Sequence, residues 1–171
     1  MMQEIVRIPP GFQRHFRQSP VTDPWEPIYS RRTDDAVILG LVAEAAHTNS
    51  RGMVHGGLIS ALADNAMGLS CAHRLGPDAS LVTVNLAIDF LGAAKIGQWL
   101  EFDTVFVKPG STLAFAQAFV TADGEPCARA NGTLPLQHGE TGGSTEPPRL
   151  NPPPSPPRAR HCGRRTGSRR G

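Results

Sequence analysis

Along residues 81–90 apolar and polar side chains alternate with period two. Val82, Val84, Leu86, Ile88 and Phe90 fall on one face and Thr83, Asn85, Ala87 and Asp89 on the other. That spacing predicts a half-buried strand. Residues 100–107, 113–121 and 127–136 read as three more strands, separated by Lys108-Pro109-Gly110-Ser111 and Ala122-Asp123-Gly124-Glu125. Turns this short imply antiparallel hairpins and hence a meander. In the 113–121 strand Ala114, Ala116 and Ala118 share one face, leaving room for a close neighbour. Upstream, Gly56–Leu75 is the one segment long enough and rich enough in Ala, Leu and Met for a major helix. Gly76-Pro77 stops it. Before it, the run from Ala36 to Ala46 fits helix or strand; Asp34 and Asp35 could cap a helix, while Val37-Ile38-Leu39 and Gly40 favour a strand. The first 32 residues are turn-rich, broken by Pro9, Pro10, Pro20, Pro24 and Pro27, with room for one short helix at 11–18.

One strand, a long helix and then four strands is an α+β pattern, not an alternating parallel one. The helix is apolar almost all round, so a single sheet of four or five strands covers only part of it. A second copy of the chain is the economical cover for the rest.

Composition divides the chain. Residues 139–171 hold 7 Arg and 2 Glu, net +5, whereas residues 1–138 hold 10 Lys and Arg against 13 Asp and Glu, net −3. The tail also has 7 Pro, 6 Gly and only 3 apolar residues, too few to offset the entropy of ordering. It is expected to be disordered, with polyproline character at 152–157. Its Arg pairs could meet nucleic acid or anionic membrane; without aromatic residues for base stacking, no specific nucleic-acid partner is expected. The expected organisation is a turn or helix segment at 1–24, a folded domain at 25–138 and the tail at 139–171. Three scattered cysteines, Cys71, Cys127 and Cys162, make no disulfide framework and no zinc pair. The N-terminus lacks the basic-then-apolar run of a secretory signal, and His55, Asp64, Asn65 and His73 interrupt the longest apolar stretch. A cytoplasmic protein with no membrane partner is expected.

Asp64 is the anomaly in the helix. A carboxylate among apolar neighbours is costly to ionise unless it is paired, hydrated or facing a cleft. Asp64 and Asn65 either line such a cleft or mark a solvent-facing edge. At the helix start, His55-Gly56-Gly57 offers backbone N–H groups unobstructed by side chains, suited to an oxyanion. His55 and Asp64 lie nine residues apart, roughly opposite in angle and about 13–14 Å apart along the axis, so one helix cannot bring both to one atom. A symmetric pair of chains could, each site taking a helix start from one chain and a helix middle from the other. His47, His55 and Asp64 match no known metal-ligand spacing, so no metal is expected. Cys71 among Leu and Ala reads as inert core.

The stretch His47-Thr48-Asn49-Ser50-Arg51-Gly52-Met53-Val54-His55-Gly56-Gly57, continuing to Asp64-Asn65, closely resembles hotdog-fold thioesterases of the phenylacetic-acid-pathway (PaaI) type. So do residues 81–90, Gly110-Ser111-Thr112-Leu113 and Asp123-Gly124-Glu125-Pro126. The resemblance implies a long central helix wrapped by an antiparallel sheet of five to six strands. It also implies a homodimer with one continuous sheet, or a homotetramer of two such dimers. The substrate would be an acyl-CoA, with coenzyme A part of that substrate and no separate cofactor. Asp64 becomes the general base or nucleophile and Gly56 N–H the donor to the thioester carbonyl. Asn49 and His55 would orient that side, Thr83 would stand near the attacking water, and Gly57 and Asn65 would contact substrate. Ser111 stands where members often carry Arg, so no phosphate contact is assigned to that turn. A good thiolate leaving group lets a carboxylate-activated water and one or two N–H donors suffice without a Ser-His-Asp triad; no Gly-x-Ser-x-Gly elbow occurs. The same pocket would also serve a non-catalytic acyl-CoA-binding module. A hotdog dehydratase suits the arrangement less well.

Overall fold

The computed structural model of the protein describes residues 8–137. The expectations for the tail lie outside those residues. In chain order the strands are β1 (Gln13–Arg14), β2 (Tyr29–Arg32) and β3 (Val37–Val42), followed by helix α1 (Gly56–Leu75). After the helix come β4 (Ser80–Leu81), β5 (Asn85–Phe90), β6 (Trp99–Pro109), β7 (Leu113–Ala122) and β8 (Glu125–Gln137). Single 3-10 turns occupy Asp23–Trp25 and Ala45–His47. All neighbours pair antiparallel in the order β1-β2-β3-β6-β7-β8, with β4 and β5 both against β8.

The sheet curls round α1, which packs on β3, β6, β7 and β8. Small side chains on the concave face allow the close approach. Ala114, Ala116, Ala118 and Ala122 of β7 and Ala128 and Ala130 of β8 are all buried there. At Gly132 a Cβ would stand 3.2 Å from Met67 Cε, so even a methyl would press on the helix. Leu58, Ile59, Leu62, Ala63, Ala66, Met67 and Cys71 fill the opposing side of α1. Buried Ser70 ties the helix to the start of β3: Val37 N donates to Ser70 Oγ at 3.0 Å, and the hydroxyl faces Val37 O at 3.4 Å. Burial pushes the Cys71 thiol up to about 11, which keeps it an un-ionised core residue.

On the convex side Phe12, Ile38 and Trp99 form a second cluster. The Phe12 and Trp99 rings meet edge to face at 5.0 Å, and the indole lies on Gly40, where any side chain would collide with it. The chain before β2 is therefore held to the sheet. The expected helix at 11–18 is not formed: β1 occupies its middle, its N–H and C=O groups paired with Ser30 and Tyr29 of β2. Strand β2 itself carries no strong sequence signal.

The alternation at 81–90 is correct only from Asn85 onward. Leu81 pairs with Leu136 and Asn85 with Thr133, so four steps along one strand match three along the other. One extra residue reverses the side-chain direction, as a bulge does. Val82 and Val84 consequently point outward, 45% and 64% exposed, while Leu81 and Thr83 turn toward the helix. Opposite the break stands Pro135, which accepts from Val82 N but has no N–H to give back.

Two imidazoles are held below their ordinary value of 6.5: His15 and His47, each chiefly by burial. His47 is 3% exposed and accepts from Glu44 N at 2.9 Å, closing the turn after β3. Such a group binds a proton more readily once the chain unfolds. Stability is therefore full at neutral pH and is lost as pH falls below about 6.5. Melting temperatures followed from about pH 8 to about pH 5.5 should drop on the acid side of that value, and drop less in His47→Gln; a flat profile would contradict this account.

Candidate active site

His55 is the N-cap of α1. Its backbone is extended (φ −70°, ψ 130°) and its Nδ1 accepts from Gly57 N at 2.8 Å. The acceptor role puts the ring proton on Nε2. The His55 carbonyl takes the N–H groups of Leu58 and Ile59. Of the two glycines expected to offer free N–H groups, Gly57 is thus engaged by the cap. Gly56 N–H has no acceptor among the described residues. Gly56 also has a tight neighbour: a Cβ there would stand 2.9 Å from Phe90 Cζ, so the β5 ring packs directly on this glycine.

Asn49 shapes the loop that delivers the helix. Its Oδ1 accepts from Arg51 N at 2.9 Å and Met53 N at 3.3 Å, and Gly52 follows at φ +73°. His55 N donates to His47 O at 2.9 Å, fixing where the helix begins.

Asp64 lies two turns further on, half-buried. Thr83 Oγ1 donates to Asp64 Oδ1 at 2.7 Å. The bond exists because the extra residue before Asn85 turns Thr83 inward. Both side chains line a cavity of about 350 Å³ together with Asn65, Gly68, Leu81 and Leu134. Gly57, Ser60, Ala61, Asp64, Asn65, Gly68 and Ala72 form a stripe along α1 that the sheet does not fully bury. Asp64 thus faces a cavity within a single chain.

The two halves of the expected site do not meet in one chain. Gly56 and Asp64 are eight residues apart, about 12 Å along the axis. The angular part of the expectation does not apply, because His55 sits outside the helical region, but the axial separation stands. Neither Asn49, His55 nor Gly56 borders the Asp64 cavity. Sequence reasoning missed Phe90 as the ring packed on Gly56. Of the roles open to a histidine at a helix start, His55 takes the common one of a cap, and this is what claims Gly57 N–H.

A long helix wrapped by a curled antiparallel sheet defines a hotdog fold. The sequence profile of the thioesterase superfamily matches residues 51–128. A Pseudomonas aeruginosa protein named "putative esterase" is 37% identical over 133 residues, 77% of this chain and 99% of that protein. The chain belongs to the thioesterase superfamily. Human acyl-coenzyme A thioesterase 13 is 37% identical over 87 residues, 50% of this chain and 60% of the human protein. A Streptococcus pneumoniae thioesterase solved with coenzyme A superposes with a TM-score of 0.58 at 25% identity, covering 66% of this chain and 87% of that one.

The cap is testable by stability alone. His55→Ala should cost about 1 kcal/mol in chemical denaturation, and His55→Asn, which can still cap, should recover most of it. An unchanged midpoint in His55→Ala would mean that the cap bond does not hold the helix end.

Proposed function

We propose that the protein hydrolyses acyl-CoA thioesters to the free acid and coenzyme A, in a site shared by two copies of the chain. The observation that carries this reading is the Asp64–Thr83 pair inside a cavity on the open stripe of α1. The relatives' names and the coenzyme A in the Streptococcus pneumoniae structure support the substrate class.

Asp64 acts as general base. Its carboxylate takes a proton from water as the water oxygen bonds to the thioester carbonyl carbon. The hydroxyl of Thr83, donating to Oδ1, fixes the carboxylate and can accept from the water through its remaining lone pairs. Charge then develops on the carbonyl oxygen, where the partner chain's helix start supplies Gly56 N–H. Collapse of the tetrahedral intermediate breaks the C–S bond, and the proton on Asp64 passes to the departing thiolate. His55 and Asn49 serve by holding that helix start, and Asn65 and Gly57 lie beside the substrate path. The same carboxylate could instead attack directly as nucleophile; water would then release the acid in a second step.

Two observations support the shared site: the axial separation of Gly56 from Asp64, and the edge of the sheet. Among the described residues β5 pairs only with β8, and Val84, Phe90 and Leu91 along this edge are more than half exposed. We place the reacting groups in residues 25–138, in a reducing, cytoplasmic setting that suits the free thiols of Cys71 and Cys127. Among the described residues no helix is long and apolar enough to cross a membrane.

Asp64→Asn should lower kcat by about 10²–10⁴ on any acyl-CoA that the wild type hydrolyses, with the melting temperature little changed. Gly56→Pro deletes the N–H at a first helical position whose backbone accepts proline, presses its Cβ on the Phe90 ring, and should lower kcat comparably. Mixing the two variants creates heterodimers with one intact site. Recovery of activity is expected, and none would sink the shared site. Retained hydrolysis in Asp64→Asn would remove Asp64 from the reaction; a wild type that binds acyl-CoAs without turnover would favour the binding module.

A chain ending at residue 138 should keep the full kcat and melting temperature. Loss of either would place residues 139–171 within the working unit.

A further inference from the structure

The cavity holding Asp64 does not end at the helix. A second cavity of about 380 Å³ adjoins it, the two sharing Arg17, Leu69, Ala72 and Ala79. Together they form a groove that follows α1 from Asp64 to its C-terminal turn. Asp64 and His73 bound the helical part, about 13–14 Å apart along the axis. Leu69, Ala72, Val37 and Phe16 supply apolar walls.

Its charge is one-sided. Among the described residues Asp64 is the only acid lining either cavity, whereas Arg17 stands where the two meet and Arg32 and His73 line the second. Two of these three are engaged. The Arg32 guanidinium lies 4.4 Å over the Phe16 ring, and His73 Nε2 is 3.1 Å from Thr33 O. Arg17 differs. Arg14, Arg31, Arg74 and Arg129 each have a carboxylate within reach, but among the described residues Arg17 has neither an ion pair nor a side-chain hydrogen bond. An exposed guanidinium at the junction of two cavities, beside an apolar floor and with Asp64, already held by Thr83, as the one lining acid, is arranged to receive an anion.

We propose that Arg17 is a specificity-determining residue that binds an anionic group of the substrate, a carboxylate or a phosphate, where the Asp64 cavity opens into the second one. Arg32, stacked on Phe16, adds to the positive field there without leaving its ring. The proposal rests on Asp64 marking the thioester end. The anion can come from either half of the substrate: a terminal carboxylate on the acyl group, or a phosphate of coenzyme A.

Steady-state kinetics of Arg17→Gln on matched substrates separate the sources. Glutaryl-CoA and butyryl-CoA differ in the terminal carboxylate, and the corresponding pantetheine thioesters lack every phosphate. Loss of one charge-assisted hydrogen bond should raise KM about tenfold with kcat little changed, and Arg17→Lys should recover part of it. If the acyl carboxylate is the ligand, the rise is confined to the two glutaryl compounds. If a phosphate is the ligand, it appears on both CoA thioesters and vanishes on both pantetheine thioesters. Unchanged KM on all four, or an equal rise on butyryl-pantetheine, which carries no anion, would overturn the proposal. A wild type that turns over none of the four would instead overturn the hydrolytic reading. Calorimetric titration of the same compounds into wild type and Arg17→Gln then decides the Arg17 subsite on affinity alone.

Discussion

The packing of α1 against the concave face of a curled sheet sets the terms for everything else in this chain. The sheet can approach the helix only because β7 and β8 present alanine and glycine where they cross it. Close approach buries most of the helix circumference and leaves a stripe, from Gly57 through Asp64 to Ala72, incompletely covered. Apolar burial at about 25 cal/mol per Å² makes the covered side the main source of stability. The remaining stripe is where polar groups can stand without being stranded in the core.

Asp64 occupies that stripe with a partner supplied by an irregularity. A perfectly regular strand from Ser80 to Phe90 would send Val82 and Val84 inward and Thr83 away. One extra residue opposite Pro135 reverses this and delivers a hydroxyl to the carboxylate. The cost is two valines on the surface and an interrupted ladder. Bulges of this kind re-aim side chains at functional positions, and here the displaced apolar surface lies along the unpaired edge of the sheet.

What could be read from the sequence follows from how local each signal is. The bounds of α1 were legible because Gly76-Pro77 and His55-Gly56-Gly57 act on their own backbone. The hairpins β6-β7 and β7-β8 were legible because their turns lie between them. The reversed face of Val82 and Val84 was not, since it depends on a proline more than fifty residues downstream. Nor was β2, or the absence of a helix at 11–18; both depend on pairing between segments whose own patterns are weak. Asp64 stood out because charge in an apolar run needs a reason, and its partnership with Thr83 came from family resemblance, not from spacing. Arg17 gave no signal at all, because its neighbours along the chain say nothing about the helix turn it faces.

The contact between Phe90 and Gly56 joins two parts of the molecule usually considered apart. Phe90 ends the outermost strand, and its ring rests on the residue whose N–H is left open at the helix start. Whatever pairs along that strand also sets the ring's position, and through it the space beside that glycine. In the proposed shared site, assembly and chemistry therefore have a mechanical element in common, and a change in how the edge is covered is at once a change beside the proposed N–H donor.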